Sequence, residues 1–343
     1  MSINHLELAE NGMVQNAQLS DTITENQNAH KFSFVVIIPL VMLITNIILH
    51  LNLPNNQEMN IRYAYASVLV VSAVVYSILL TISVRLKNLY DKIRHLIPIL
   101  TAVVGAVEVW DLVTLKLALL ALPYFPGPDK VLGVFKEDWS LILKSLFYSL
   151  RLMFVAYAIG TTLGLITGIS MGWNKTVNYW VMPILKIIGP IPATAWIPIA
   201  MVVFPTTFCS SIFLIVLSVW FPVTVMTSSG IGNVRNSYLE VARTLGADSK
   251  YLIFKVAIPA AYPMIFIGLF MGMGNSFITL IVAEMLGVKA GLGWYINWAQ
   301  GWAEYNKVYA CLLVIALIFS TLLTLLFKLR DRVLIWQKGL IKW

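Results

Sequence analysis

Charge is scarce in this sequence. Of its 343 residues, 12% are Asp, Glu, Lys or Arg and 59% are hydrophobic, whereas a soluble domain carries roughly 25% charged residues. The charges lie between apolar runs of about twenty residues, which is the length that crosses a bilayer as a helix. This pattern excludes a soluble globular domain and predicts an all-α polytopic membrane protein embedded in a lipid bilayer. The net charge of +8 is typical of basic cytoplasmic loops, so we expect no nucleic-acid partner.

Catalytic and metal-binding motifs are also lacking. The two cysteines, Cys209 and Cys311, belong to no CxxC or Cys/His cluster, and the four histidines are scattered. Both cysteines fall near the outer ends of apolar runs, so a disulfide and two lone buried thiols both remain open. There is no HExxH or GxSxG motif. We therefore expect no enzymatic activity, no metal site and no cofactor bound by this chain.

A phosphate-binding loop is missing as well. The nearest candidate, residues 164–176, contains glycines and a Lys-Thr pair. It lacks the adjacent Gly-Lys of GxxxxGK[ST] and ends a membrane helix instead of following a strand. We therefore expect that this chain does not bind ATP through such a loop.

Eight apolar runs are long enough to be membrane spans. Lysine and arginine concentrate at 85–94 and 328–332, in loops that the alternation of spans assigns to the cytoplasm. This bias predicts that both termini are cytoplasmic. The runs cover about 32–51, 64–84, 96–115, 147–170, 181–204, 212–227, 259–282 and 309–327.

Three charges lie in or beside the third run. Charged side chains are expensive inside a bilayer and often mark ion paths. We expect Asp111 and Lys116 to reach the outer interface by extending their side chains toward water. Glu108 lies about two turns into the span, and a structural role and an ion site are both open for it.

The fourth run contains Gly160, Gly164, Gly168 and Gly172. Small residues at intervals of four form a smooth stripe along a helix, which lets a neighbouring backbone come close. We interpret this stripe as a helix-packing surface.

The fifth run is interrupted by prolines, each of which removes a backbone donor and bends or breaks a helix. Irregular backbone at membrane depth is tolerated where it is buried in protein or lines an aqueous cavity. The run therefore predicts a segment that lines a pathway, with a kinked structural helix as the alternative. Candidate pathway residues are Pro190, Pro192, Trp196 and Pro198, together with Asn275 of the seventh run and Glu284 just beyond its outer end. For Trp196, packing against neighbouring residues is the alternative.

The polar insert 230–258 carries the most specific pattern. Glu240 to Gly246 is followed by nine residues, then Val256, Ala257, Ile258 and Pro259. We predict a short helix from Tyr238 to Leu245 that ends at a glycine, and a proline that begins the next span. A compact helix held between two spans would let a docked partner move both.

This pattern resembles EAA-x3-G-x9-I-x-L-P, the permease signature of binding-protein-dependent ABC importers. Glu240, Ala242, Gly246 and Pro259 match it, and Val256 and Ile258 keep its apolar character. The resemblance implies that these six residues form a coupling helix and its flank, which insert into a groove of a separate ATP-binding cassette subunit.

Further stretches resemble the nitrate, sulfonate and taurine group of these permeases: 190–198, 221–222, 282–285 and 291–293. The likeness covers about 109–332. It departs at 204–209, and the first two spans look like an addition.

The resemblance implies a type I ABC importer permease in a bacterial plasma membrane, with about eight spans and additional N-terminal helices. A homodimer would form the pathway, and an extracytoplasmic solute-binding protein would deliver a small-molecule solute. The outer loop 294–302 would face that binding protein or form an interfacial aromatic belt. The alternative is an ion-coupled secondary transporter, which predicts inverted repeats and ionisable groups near the midplane and leaves the Glu240–Gly246 spacing unexplained.

The chain then divides along these lines. The polar start lacks the plan of a cleaved signal peptide. The expected parts are a cytoplasmic tail (1–30), an additional transmembrane hairpin (31–95), the third span and outer loop (96–139), the permease core (140–332, with the coupling loop at 230–258) and a cytoplasmic C-terminal tail (333–343).

Overall fold

The computed structural model describes residues 34–56 and 63–335. The expected tail 1–30 and most of the tail 333–343 lie outside these ranges. The chain forms two compact units. The first comprises the chain up to Ala121 together with 127–129, and the second comprises 122–126 and the chain from Lys130 onward.

The described residues form helices in both units. The first unit contains α1 (Ile38–Asn52), α2 (Ala64–Arg85) and α3 (Lys87–Asp111), and α3 continues as a π-helical turn, Leu112–Lys116. Then come α4 (Pro128–Glu137), α5 (Trp139–Trp173), α6 (Lys175–Ile188), α7 (Ile197–Val203), α8 (Thr207–Gly232), α9 (Asn236–Thr244), α10 (Ser249–Tyr251), α11 (Ile258–Gly287), α12 (Leu292–Gly301) and α13 (Tyr305–Val333).

The membrane-spanning pattern agrees with the sequence. Within the described ranges, seven helices are long and apolar enough to cross a bilayer. The remaining expected span, the fifth, is a pair of shorter helices, Lys175–Ile188 and Ala193–Val203, that meet at an angle of 86°. The break falls at Gly189–Pro192, because prolines cannot donate the backbone bonds that would continue the helix.

The seventh span begins earlier than predicted. Its helix starts at Ser249, ten residues before Pro259, and runs without interruption to Gly287. Asp248 caps the start by accepting a hydrogen bond of 2.8 Å from the Tyr251 N–H. A π-helical turn, Leu252–Ala257, precedes Pro259. A π turn rearranges the local hydrogen bonds, which lets the helix continue past a residue that lacks an N–H.

The first unit contains a cluster of buried ionisable side chains near the end of α1. The two ring nitrogens of His50 lie 3.0 Å from Asp111 Oδ2 and 3.1 Å from Asp129 Oδ2. All three side chains are buried. Both ring nitrogens can donate together only in the imidazolium form, so this geometry suits one cation held between two carboxylates. Asp129 also accepts a hydrogen bond of 2.8 Å from the Tyr65 N–H.

Lys116 also lies near the end of α1. Its ammonium donates to the carbonyl oxygens of His50 and Leu53 and to Asn55 Oδ1. The last carbonyls of a helix have no partner within the helix, and lysine is a suitable donor for them. The expectation that Asp111 and Lys116 extend to the outer interface is therefore wrong, because the end of α1 supplies buried partners for both.

In the second unit, α5, α8 and α11 form the core. Met153, Ile215, Val219 and Val223 are fully buried there, beside Leu280. The glycine stripe of α5 faces α8, and a Cβ added at Gly164 would lie 2.7 Å from Val223. The same close approach pairs Gly160 with Val219, Gly168 with Thr227 and Gly172 with Ile231. The packing interpretation of the stripe is confirmed. Cys209 and Cys311 are free thiols.

Candidate coupling surface and translocation cavity

The insert between α8 and α11 contains the helix expected from the sequence. Helix α9 ends in a motif in which Gly246, at φ +86°, follows the C-cap. The Gly246 N–H donates to Arg243 O at 2.9 Å, and the Ala247 N–H donates to Ala242 O at 3.0 Å. These two bonds satisfy carbonyls at the end of the helix, and glycine adopts the required positive φ at no steric cost.

One face of this insert is apolar and exposed. Tyr238, Val241 and Leu245 are spaced i, i+3 and i+7, which places them on one face of a helix, and Leu245 is 83% exposed. With Tyr251 they border a groove that is also lined by Ala242, Gly246, Ala247, Lys255 and Val256. We call the face formed by Tyr238, Val241, Leu245 and Tyr251 the coupling surface. Tyr238, Val241 and Leu245 lie outside the spans, where contiguous exposed apolar residues are typical of an interaction site.

The six residues of the signature do not all lie at this groove. Ala242, Gly246 and Val256 line it. Glu240 is exposed on α9, and Ile258 and Pro259 are half-buried in the first turn of α11. Sequence reasoning missed the four residues of the coupling surface. The helical spacing of the apolar residues 238, 241 and 245 was the signal that could have found three of them.

A cavity of about 210 Å³ lies beside the break in the fifth span. Thr194, Ser218, Asn275 and Thr279 contribute hydroxyl and amide groups, and Phe221 forms part of the apolar wall. None of the described residues that line the cavity carries a charge. The remaining lining residues are Ile188, Gly189, Ile191, Pro192, Ala193, Leu217 and Ile278.

Gly189 is required for this arrangement. A Cβ at this position would overlap the ring of Phe221. The glycine therefore lets the broken segment lie directly against α8, which places the backbone of the break beside the cavity.

Two of the six expected pathway residues, Pro192 and Asn275, line the cavity. Pro190 lies in the break, and Pro198 is an exposed residue in the first turn of α7. Trp196 packs against a buried cluster formed by Ala200, Leu214 and Ala283. The expectation that Trp196 forms a wall of the pathway is not met at this cavity, because the 3-10 turn that follows the break directs its ring into the core.

Glu284 also lies away from the cavity, and its side chain is enclosed. It is 1% exposed, and its Oε2 accepts hydrogen bonds from Ser149 Oγ at 2.8 Å and from the Gly293 N–H at 2.9 Å. Ser149 Oγ in turn accepts a bond of 2.8 Å from the Leu292 N–H. We call the group of Ser149, Glu284 and Gly293 the outer clamp. It joins α5, α11 and the first turn of α12.

The other side of α12 has a second polar anchor. The buried Tyr295 donates a hydrogen bond of 2.8 Å to Asp138 Oδ2, which also lies 3.1 Å from the ammonium of Lys307. Burial raises the pKa of the Tyr295 phenol, so this side chain stays protonated and able to donate.

The family is decided by comparison with known proteins. The model of the family described as "Binding-protein-dependent transport system inner membrane component" matches residues 160–334. This chain is an ABC importer permease.

Relatives agree with this assignment. An ABC transporter permease of Methanocaldococcus jannaschii is 30% identical over 68% of this chain and 89% of its own length. The aliphatic sulfonates transport permease SsuC of Bacillus subtilis is 31% identical over 69% of this chain and 84% of its own length. The nitrate import permease NrtB of Synechocystis sp. is 31% identical over 65% of this chain and 75% of its own length.

The matched region contains the candidate sites of the permease. The coupling surface, the cavity and Glu284 all lie within 160–334. The first unit, with the buried cluster around His50, lies outside it. The family assignment thus applies to the second unit and leaves the role of the first unit open.

Proposed function

We propose that two copies of this permease form a pathway through the membrane, and that a small solute passes through the cavity at the broken fifth span. An extracytoplasmic binding protein delivers the solute. A separate ATP-binding cassette subunit docks on the coupling surface and supplies the energy. The setting is the plasma membrane of a bacterium.

The observation that carries this proposal is the coupling surface itself. Tyr238, Val241 and Leu245 lie on or directly after the short helix between the end of α8 and the start of α10, and Tyr251 lies in the first turn of the stretch that continues as a span. Burying an exposed apolar face is worth roughly 25 cal/mol per Å². A partner that covers this face would therefore bind favourably and would hold two spans at once.

The lining of the cavity favours a small polar solute. Relatives are named for nitrate and for aliphatic sulfonates, whose oxygens accept hydrogen bonds. Hydroxyl and amide groups of the kind contributed by Thr194 and Asn275 can donate to such oxygens. A lining without fixed charges would bind an anion weakly, which suits a site that must release its solute. The same lining gives no support to an ion-coupled carrier, which places ionisable groups near the midplane.

The coupling role is tested in proteoliposomes that contain the permease, its ATPase and its binding protein. Gly246→Pro and Glu240→Lys are expected to leave the chain inserted while solute no longer stimulates ATP hydrolysis. The matched control is Asp91→Lys, an equal charge reversal at an exposed position of α3 outside the matched family region. Solute stimulation that is unchanged in both coupling variants would contradict the proposal.

The cavity is tested by labelling. A cysteine at Thr194 or Asn275 is expected to react with small polar thiol reagents in at least one nucleotide state, in a background in which Cys209 is serine. A cysteine at the buried Ala200 serves as the control that stays unreactive. Complete protection at both cavity positions in every nucleotide state would refute a solute pathway there.

A further inference from the structure

The coupling surface and the outer clamp are connected by one helical stretch. The helical stretch from Ser249 to Gly287 is 39 residues long. At a rise of 1.5 Å per residue, Ser249 and Glu284 are separated by about 50 Å along the helix axis, more than the roughly 30 Å of a hydrocarbon core. This stretch therefore links a residue beside the coupling surface with a residue at the opposite end of the span.

The stretch is packed firmly along its length. Gly268 and Gly272 bring it close to α8, and a Cβ at Gly268 would lie 3.0 Å from Met226 Cβ. Phe277 stacks on Phe319 of α13 with ring centroids 3.7 Å apart. A closely packed interior transmits displacement instead of absorbing it. A shift at Ser249 is therefore expected to reach Glu284.

The outer clamp is built to hold α12 to this stretch. The first N–H groups of a helix have no partner within it, and a carboxylate there is also favoured by the helix dipole. Glu284 supplies that carboxylate and accepts from Gly293, while Ser149 accepts from Leu292. The clamp thus satisfies two successive N–H groups at the start of α12.

The loop between the two helices is shaped around the same carboxylate. Gly291 has φ +140°, and a Cβ there would lie 2.5 Å from Glu284 Oε1. A Cβ at Gly293 would overlap the Ile281 carbonyl oxygen and lie 2.7 Å from Glu284 Cβ. Both glycines are therefore needed for the close approach of α12. Glu284 Oε1 is buried and makes no hydrogen bond. A buried acceptor without a partner costs free energy, so the close packing of the two glycines against this carboxylate is kept at that cost.

We infer that Glu284 is a positioning residue that makes α12 move together with the helix from Ser249 to Gly287, so that displacement of the coupling surface reaches the outer face. This inference rests on the proposed docking of the ATPase at the coupling surface. Without the carboxylate, α12 would remain attached at Tyr295, at Leu292 through Ser149 and through the bond of 3.0 Å that Asn297 Nδ2 donates to Met285 O. The Gly293 N–H would lose its acceptor, which would loosen the first turn of α12.

The test uses the assembled transporter with its ATPase and binding protein. Spin labels are placed on Leu286, at the end of α11, and on Gln300, on α12, both of which are exposed. Without other substitutions, the distance between the labels is expected to stay narrow and unchanged with and without trapped nucleotide. In Glu284→Ala, the distribution broadens and the ratio of uptake to ATP hydrolysis falls several-fold. Glu284→Gln keeps an acceptor oxygen and is expected to restore much of the ratio.

The experiment distinguishes failure of this inference from failure of the proposed coupling role. If Glu284→Ala cannot be purified in folded form, Ser149→Ala, which removes the clamp bonds to Glu284 and from Leu292, is expected to broaden the same distance distribution. A narrow distribution and a normal ratio in the folded clamp variants, with Gly246→Pro still uncoupled, would overturn the inference and leave the proposed function intact. A normal ratio in Gly246→Pro would instead refute the proposed coupling role.

Discussion

The glycine stripe of α5 allows the packing of the second unit to be tested by one added methyl group. In Gly164→Ala, the new Cβ would lie 2.7 Å from both Cβ and Cγ1 of Val223 and 3.2 Å from the Trp220 carbonyl oxygen. Carbon atoms pack at about 3.5–4.0 Å, so α5 and α8 would have to separate by roughly 1 Å. Overpacking of this kind costs about 1–3 kcal/mol.

A matched control removes the effect of helix propensity. Alanine is favoured over glycine inside a helix by about 1 kcal/mol, which would offset part of the loss at Gly164. A Cβ added at Gly274, inside α11, would meet no atom within 4 Å. The free energy of unfolding of Gly164→Ala is therefore expected to lie about 1–3 kcal/mol below that of Gly274→Ala.

The assay is reversible unfolding of the purified permease by a denaturing detergent, followed by tryptophan fluorescence. Uptake in proteoliposomes is measured beside it, because separation of α5 and α8 would also disturb the cavity wall. Equal unfolding free energies for the two variants would refute the close packing of the stripe. A lower free energy of unfolding for Gly274→Ala than for Gly164→Ala would also refute the close packing of the stripe.

Three further predictions follow from single contacts. His50→Ala leaves two buried carboxylates without their shared cation and is expected to destabilise the first unit by about 3–5 kcal/mol, measured as faster hydrogen exchange in α1 and α3. Gly246→Ala places a side chain at φ +86° with no atom within 4 Å, so we expect a loss of about 1–2 kcal/mol from backbone strain alone, measured as weaker binding of the ATPase subunit. Tyr295→Phe removes the hydrogen bond to Asp138 and is expected to lower the free energy of unfolding by about 1.5–3 kcal/mol, since hydrogen bonds to charged groups are worth about that much.

Features that depend on nearby residues could be predicted from the sequence. The glycine stripe, the break at Gly189–Pro192 and the positive φ of Gly246 each follow from the residues at those positions. The eight spans follow from apolar length, and the fifth is indeed broken. These features are encoded locally because backbone geometry and helix periodicity act over a few residues.

Contacts between distant residues could not be predicted. His50 meets Asp111 across 61 positions and Glu284 meets Ser149 across 135. A single sequence contains no signal for such pairs, so Asp111 looked like an interfacial charge and Glu284 like a pathway residue. The orientation of Trp196 was equally hidden, because proline spacing predicts a break but not the rotation of the turn that follows it.

The central claim is that an ATPase subunit docks on the coupling surface, and it is tested most directly by crosslinking. A photoreactive amino acid is introduced at Leu245, the most exposed residue of that surface, and in a separate variant at Asn297 on α12. Both variants are co-expressed with the ATP-binding cassette subunit and irradiated in membranes. The account predicts a crosslink to the ATPase from position 245 and none from position 297. Absence of a crosslink at 245 in an assembled, active transporter would contradict it.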